Sequence, residues 1–394
     1  INKFLHKLNF MKLLFQNNDI QNQDSHSSPK LSKNLKQNLS RINKSLGNSS
    51  DIVIREIKIG SEKKINASII YVEGLVDKTL INESILRPLM IDSRIADNEN
   101  TSVQTNIINL IQSQTLTVGD IKNTGEINYI TECVLTGETA ILIDGHNKAL
   151  VMGTRGWEER GVDEPNTESV VRGPREGFTE TLRTNTALLR RKIHNPNLIF
   201  EMLKLGQQTK TDVCIAYLKG VTNKKLIKEI KKRLNRIDTD AILESGYIEE
   251  FIEDAPFSPF STIANSERPD VVAAKLLEGR AAILVDGTPF VLTVPMLFVE
   301  SFQVAEDYYS RPYYTTIIRW VRFIAFFLSV MSPAIYVALT TFHQEIIPTS
   351  LLITMIAATE GTPFPAVMAA LLMGVIFEIL REAGVRLPRP VGEA

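Results

Sequence analysis

Apolar and polar positions follow three different rhythms along the chain. Between about residues 51 and 310, short apolar runs alternate with stretches in which every third or fourth residue is apolar. Ala67–Val72 and Val213–Leu218 are β-rich runs and predict strands. Lys224–Ile237 puts Leu226, Ile227, Ile230 and Leu234 on one face and lysines on the other, which predicts an amphipathic helix. Val271–Leu277 predicts a further helix ahead of a second strand. Residues 1–50 are instead rich in Asn, Ser and Lys, with Asp19 and Asp24 as their only acids. Such a composition predicts a flexible basic arm. Within it Leu5, Leu8, Leu13 and Phe15, with Lys3, Lys7 and Lys12, form either a solvated tail or a short helix that touches an anionic membrane. Beyond residue 310 the alternation gives way to long apolar stretches.

The middle zone repeats itself. Ile70-Tyr-Val-Glu-Gly-Leu-Val-Asp-Lys78 matches Ala216-Tyr-Leu-Lys-Gly-Val-Thr-Asn-Lys224, pairing Tyr71 with Tyr217, Gly74 with Gly220 and Lys78 with Lys224. Gly137-Glu-Thr-Ala-Ile-Leu-Ile-Asp-Gly145 matches Gly279-Arg-Ala-Ala-Ile-Leu-Val-Asp-Gly287. Two matches in the same order at similar separation indicate a duplicated unit. The expected fold is therefore a soluble α/β region of two related subdomains, at 51–170 and 197–310. Each strand ending in Asp-Gly predicts a two-residue hairpin, since glycine accepts positive φ. The segment 171–196 between the copies predicts a linking helix that begins near Pro174 and packs between them. Its acids Glu176 and Glu180 come early, its bases Arg190, Arg191 and Lys192 late, and Phe178, Leu182, Leu189 and Ile193 share a face.

Residues 311–394 predict the first part of an all-α membrane domain. Phe323–Phe342 carries no charge, within a span expected near 318–342, and at about 1.5 Å per residue it crosses one bilayer core. Pro333 should kink it. A second apolar stretch is broken at Gly361-Thr-Pro-Phe-Pro365, leaving a re-entrant or interfacial helix at 346–359 and a span at 364–380. Arginines flank the pair of spans on both outer sides, so both flanks are expected in the cytosol. Glu360, beside Pro363 and Pro365, is either solvent-exposed or part of a pore. Glu378 lies one turn from Arg381, so pairing explains it. The chain opens at Ile1 and closes at Ala394 just after a basic, Pro-rich turn, and is read as a piece of a longer one.

Charge and chemistry narrow the picture further. A net charge of -1 gives no reason to expect nucleic acid. Cys133 and Cys214 make no disulfide framework, and His6, His26, His146, His194 and His343 lack metal-ligand spacing. No catalytic set, metal site or cofactor is expected, and an enzyme is not the reading. Asp144-Gly145 and Asp286-Gly287 are explained by turn chemistry. Arg172-Gly-Pro-Arg175 either holds an anion or bridges carboxylates at a domain junction.

Val171-Arg-Gly-Pro-Arg-Glu-Gly-Phe-Thr-Glu-Thr-Leu-Arg-Thr-Asn185, with Leu188-Leu-Arg-Arg-Lys192, resembles the central signature of the A subunits of GerA-type spore germinant receptors. Arg172, Gly173, Pro174, Arg175, Glu176 and Phe178 carry it. Phe342-His-Gln-Glu-Ile-Ile-Pro348 and the run from Glu378 to Gly392 resemble the family's membrane motifs, and Asp51-Ile-Val-Ile-Arg55 its opening strand. The resemblance implies a subunit of the inner spore membrane that works with a permease-like B subunit and a lipoprotein C subunit. It implies nutrient sensing that triggers germination, by an oligomer acting as a ligand-gated cation channel. A non-conducting scaffold between a nutrient-binding partner and an effector is the alternative.

Overall fold

The structure, a computed structural model, describes residues 29–59, 65–92, 121–156, 168, 172–254, 256–258, 260–359, 361 and 364–386. The N-terminal apolar set of residues 5–15, Glu360 and Pro363 lie outside the described residues. The chain forms two compact units, Ile1–Phe298 and Val299–Ala394.

The first unit opens with helix α1 (Leu35–Ser45) and strands β1 (Ile52–Ile59) and β2 (Ile65–Val72). A helical stretch from Lys78 to Leu86 follows, then β3 (Ile121–Thr124), α2 (Ile127–Leu135), β4 (Thr139–Ile143) and β5 (Ala149–Met152). The second half holds α3 (Leu182–Lys192), β6 (Leu198–Leu205), β7 (Thr211–Leu218), α4 (Lys224–Leu234) and α5 (Ser245–Ile252). It closes with β8 (Ala264–Ser266), α6 (Pro269–Leu277), β9 (Ala281–Val285) and β10 (Val291–Val294). Each half is one antiparallel five-stranded sheet, ordered β1-β2-β4-β5-β3 and β6-β7-β9-β10-β8. The two Ala-Ile-Leu strands thus hold the same place: Ala67 pairs with Ile143, and Val213 with Val285. Every residue of β4, β5, β9 and β10 is buried because helices cover both faces of each sheet. In the second half, Leu189 of α3 and Leu276 of α6 pack on one face, and Ile230 of α4 and Ile248 of α5 on the other.

Three expectations are corrected. Residues 35–45, expected within a flexible arm, form α1, whose Leu35, Ile42 and Leu46 enter the first core. The helix expected from Pro174 begins instead at Leu182. The same local lock explains both starts. Asn38 accepts the Ser32 N–H (2.8 Å) and donates to the Ser32 carbonyl (2.6 Å). Asn185 does the same with Thr179, at 2.8 and 2.6 Å. The Asp-Gly loops complete each cap: Asp144 accepts the Leu35 N–H and Gly145 donates to the Lys33 carbonyl. Asp286 accepts the Leu182 N–H, and Gly287 donates to the Glu180 carbonyl. The donors that a helix start leaves open are thus met from across the sheet. Each Asp-Gly pair sits in a longer β-β connection, with Gly145 and Gly287 at φ 81° and 93°. The linking helix is therefore the opening helix of the second copy.

A fully buried ion pair joins the halves. The Arg190 guanidinium on α3 meets the Asp51 carboxylate in a two-pronged contact, Nε–Oδ2 2.9 Å and Nη2–Oδ1 3.0 Å. Both side chains are buried, at 0% and 2% exposure. Arg190 also donates to the Ser49 hydroxyl and the Asn195 carbonyl, and lies 5.0 Å over the Phe200 ring. The Ser49 hydroxyl in turn accepts the Phe200 N–H at 2.9 Å.

The second unit holds α7 (Pro312–Thr341), α8 (Thr349–Thr359) and α9 (Ala366–Arg386). Among the described residues α7 alone is long and apolar enough to cross a membrane, and α8 is a shorter apolar helix. α7 runs through Pro333. Ahead of it Asp307, nearly buried, accepts from Arg319 (3.0 Å) and Arg322 (2.7 Å), and Phe302 stacks on Phe323. Burial pushes the Asp307 carboxyl up, but the hydrogen bonds from Arg322 and Arg319 outweigh it and hold it below its ordinary value.

Removing one partner of a buried pair strands the other charge, at a cost of about 3–5 kcal/mol. Asp51→Ala should lower unfolding free energy in denaturant by about that amount. The double change Asp51→Leu with Arg190→Met should recover most of the loss. A loss below about 1 kcal/mol in the single variant, the size of an exposed pair, would contradict the assignment.

Candidate functional site

The junction of the two halves encloses a cleft of about 590 Å³. One wall is the turn after β2 with the start of the helical stretch that follows, Glu73 to Lys78; the other is α3 and the residue before it, Thr181. The walls meet at Gly74, whose φ of 90° suits glycine. A Cβ there would lie 2.9 Å from that of Ala187 and 3.4 Å from the Arg183 carbonyl, so a side chain would force α3 away. Val76, Ala187 and Leu188 supply apolar lining, and Thr181, Thr184 and Arg191 supply polar groups. The cleft can therefore hold a small polar molecule or a loop of a partner. Among the described residues no group of three or more His, Cys, Asp or Glu is placed to hold a metal ion.

Glu73 ties the walls electrostatically. It accepts from Lys78 at 2.8 Å and faces Arg183 across the junction at 3.5 Å. The Lys78 hydrogen bond, reinforced by the Arg183 charge, holds its carboxyl below the ordinary value. Asp77 is engaged in capping the Thr79 and Leu80 N–H groups.

The signature segment, Arg172 to Phe178, does not line the cleft, and Glu176 reaches it only through Arg191. Residues 174–179 run without regular structure, and Phe178 enters the second core with its N–H on the Glu267 carbonyl at 2.7 Å. Glu176 binds Arg191 (3.2 Å) and Lys192 (2.9 Å), and so fastens the segment to α3. Burial raises the Glu176 carboxyl, but Lys192 and Arg191 outweigh it, leaving the carboxyl below its usual value. Pro174 is held through its carbonyl by Arg268, which is nearly fully buried and paired with Asp270 at 2.7 Å. Gly173 has φ 146°, and Arg172 and Arg175 are exposed with interactions of their own. Of the residues expected in the membrane domain, Pro333 lies within α7, Pro365 precedes α9, and Glu378 pairs with Arg381 on α9.

Sequence reasoning missed Arg190, Arg268, Glu73 and Arg183. Arg190 had a readable signal. The register set by Asn38 and Asn185 places it opposite Asn43, so one copy carries a buried arginine where the other carries an amide.

A family model described as Bacillus/Clostridium GerA spore germination protein matches residues 40–394. Spore germination protein KA of Bacillus subtilis is 50% identical over 92% of this chain and 66% of its own length. Spore germination protein GerLA of Bacillus cereus is 36% identical over 91% of this chain and 72% of its own. The chain thus spans about two thirds of the length of the curated relatives it matches. Among solved structures, the N-terminal domain of the A subunit of the Bacillus megaterium spore germinant receptor GerK3 is 41% identical. It aligns with TM-score 0.55, covering 69% of this chain and 99% of the domain.

A carboxyl held below its unfolded value adds stability that is complete above the unfolded pKa and is lost as pH falls through the lowered one. An NMR titration should therefore find Glu73 protonating below the usual carboxylate range. In Arg183→Ala that midpoint should rise while Lys78 keeps it below the range. An unchanged midpoint would mean that the junction leaves Glu73 to Lys78 alone.

Proposed function

The chain belongs to the Bacillus/Clostridium GerA family of spore germination proteins, and on that premise we propose that it is the A subunit of a nutrient germinant receptor. In this reading it sits in the inner spore membrane beside a permease-like B subunit and a lipoprotein C subunit. Nutrient binding by the receptor triggers germination, and an oligomer of the chain opens a path for cations. α7 crosses outward, α8 lies in or dips into the outer side, and α9 returns.

One observation favours conduction over a scaffold role. Ser332, Tyr336, Thr340 and Gln344 recur every fourth residue and line a single cavity of about 820 Å³ with α8 and α9. Phe327, Met331 and Ile335 of α7 are exposed off that row, while Ile324 and Leu328 continue it toward the start of the helix. A helix that faces lipid with its apolar side and gathers its polar groups on one stripe suits a hydrated path. The break before α9 frees backbone groups that lipid cannot satisfy, so they require protein or water. Glu360 at that break would add an acidic ring in an oligomer and favour cations.

Reconstituted full-length oligomer should pass monovalent cations, and Glu360→Gln should reduce the flux or shift its selectivity with assembly intact. No conductance from an assembled receptor would instead support the scaffold. For topology, a thiol placed at Thr349 should react with an impermeant reagent from the outer side. Reaction from the cytosolic side alone would refute the outward crossing.

A further inference from the structure

The second half of the first unit displays an apolar patch that the cores do not use. Phe257 is fully exposed (101%), and Phe260, Leu297 and Phe298 are 55, 55 and 48% exposed. The patch is built rather than loose. The Phe260 ring meets the Phe298 ring edge-on at 4.9 Å. The Met296 N–H donates to the Thr262 carbonyl at 2.7 Å, joining the segment after β10 to the loop after α5. The Ser258 hydroxyl accepts the Phe260 N–H at 3.1 Å, and the Ser261 hydroxyl that of Ile263 at 3.2 Å, tightening that loop.

We propose that Phe257, Phe260, Leu297 and Phe298 form an interfacial anchor that enters the surface of the lipid bilayer. The proposal rests on the reading of α7 as a membrane span. The patch contains Phe298, and only residues 299–311 separate it from the first residue of α7. A chain of that length reaches at most about 50 Å, at roughly 3.3–3.6 Å per residue. A domain tethered so closely keeps this patch near lipid at high effective concentration. Exposed Phe and Leu side chains suit the boundary between headgroups and acyl chains, where the apolar face of an interfacial element lies. Such elements bury roughly 5–10 Å deep. The last turn of α5 and the residues just after it carry Glu250, Glu253 and Asp254. The attraction is therefore apolar: salt should not weaken it, and a larger share of anionic lipid should not strengthen it.

The native thiols Cys133 and Cys214 are buried. Burial pushes the Cys133 thiol up to about 11 and raises Cys214 further. A thiol introduced at an exposed site therefore takes a label selectively. The full chain, labelled with nitrobenzoxadiazole at Phe257→Cys, is reconstituted in phosphatidylcholine vesicles that contain spin-labelled lipid. Its emission should be blue-shifted and quenched well beyond that of a label at Lys224→Cys, and 0.5 M salt should not weaken the quenching. Water-like emission at position 257, with a label at Val330→Cys quenched, overturns the anchor while sparing the span. A blue shift without lipid quenching overturns it in favour of a protein surface. An unquenched label at position 330 removes the span itself, and the anchor with it.

Discussion

The first unit depends on burying a charge pair where its two halves meet. Arg190 and Asp51 lie out of water, and only a complete set of hydrogen bonds makes that tolerable. The set draws on Ser49 and Asp51 from the first half, and on Arg190, Asn195 and Phe200 from the second. A displacement of one half by a few ångströms would strand a guanidinium or a carboxylate in an apolar junction. The pair therefore fixes one placement of the halves, and that placement shapes the cleft. Glu73 with Arg183, and Gly74 against Ala187, are contacts of the same junction nearer to solvent. They can change more cheaply than the buried pair, which makes the cleft the adjustable side of the junction.

The duplication was legible because its strongest signals are chemical. A strand buried on both faces has to be apolar throughout, and a chain leaving it needs a residue that accepts positive φ. Both constraints leave the Ala-Ile-Leu-x-Asp-Gly strings in the sequence. The helices α1 and α3 were not legible as a matched pair. Their starts are fixed by Asn38 and Asn185, polar residues that read as solvent-facing but are buried. The caps come from Asp144 and Asp286, about a hundred residues away. A local rule placed the start at Pro174, where proline is tolerated, whereas the tertiary cap placed it at Leu182. The same blindness hid α1 inside an Asn-rich, Lys-rich stretch.

The candidate site was half visible. The signature segment drew attention through its odd composition, yet none of Arg172 to Phe178 lines the cleft, and Glu176 reaches it only through Arg191. The residues that set the cleft's geometry were read only as helix-dipole charges or not at all, because a buried salt bridge across 139 positions leaves no spacing to read. In the second unit, apolar length gave the long helix α7 directly. The polar stripe from Ser332 to Gln344 is regular in sequence, yet its meaning needed α8 and α9 beside it.

The central claim is that the buried Arg190–Asp51 pair holds the two halves in one relative placement. Spin labels at Arg87→Cys and Lys224→Cys, one on each half, report that placement as a distance distribution by pulsed electron resonance. The account predicts a single narrow distribution in the otherwise native chain, and a broadened or shifted one when Asp51→Asn removes the charge. An equally narrow, unshifted distribution in Asp51→Asn would show that the halves are held by something else.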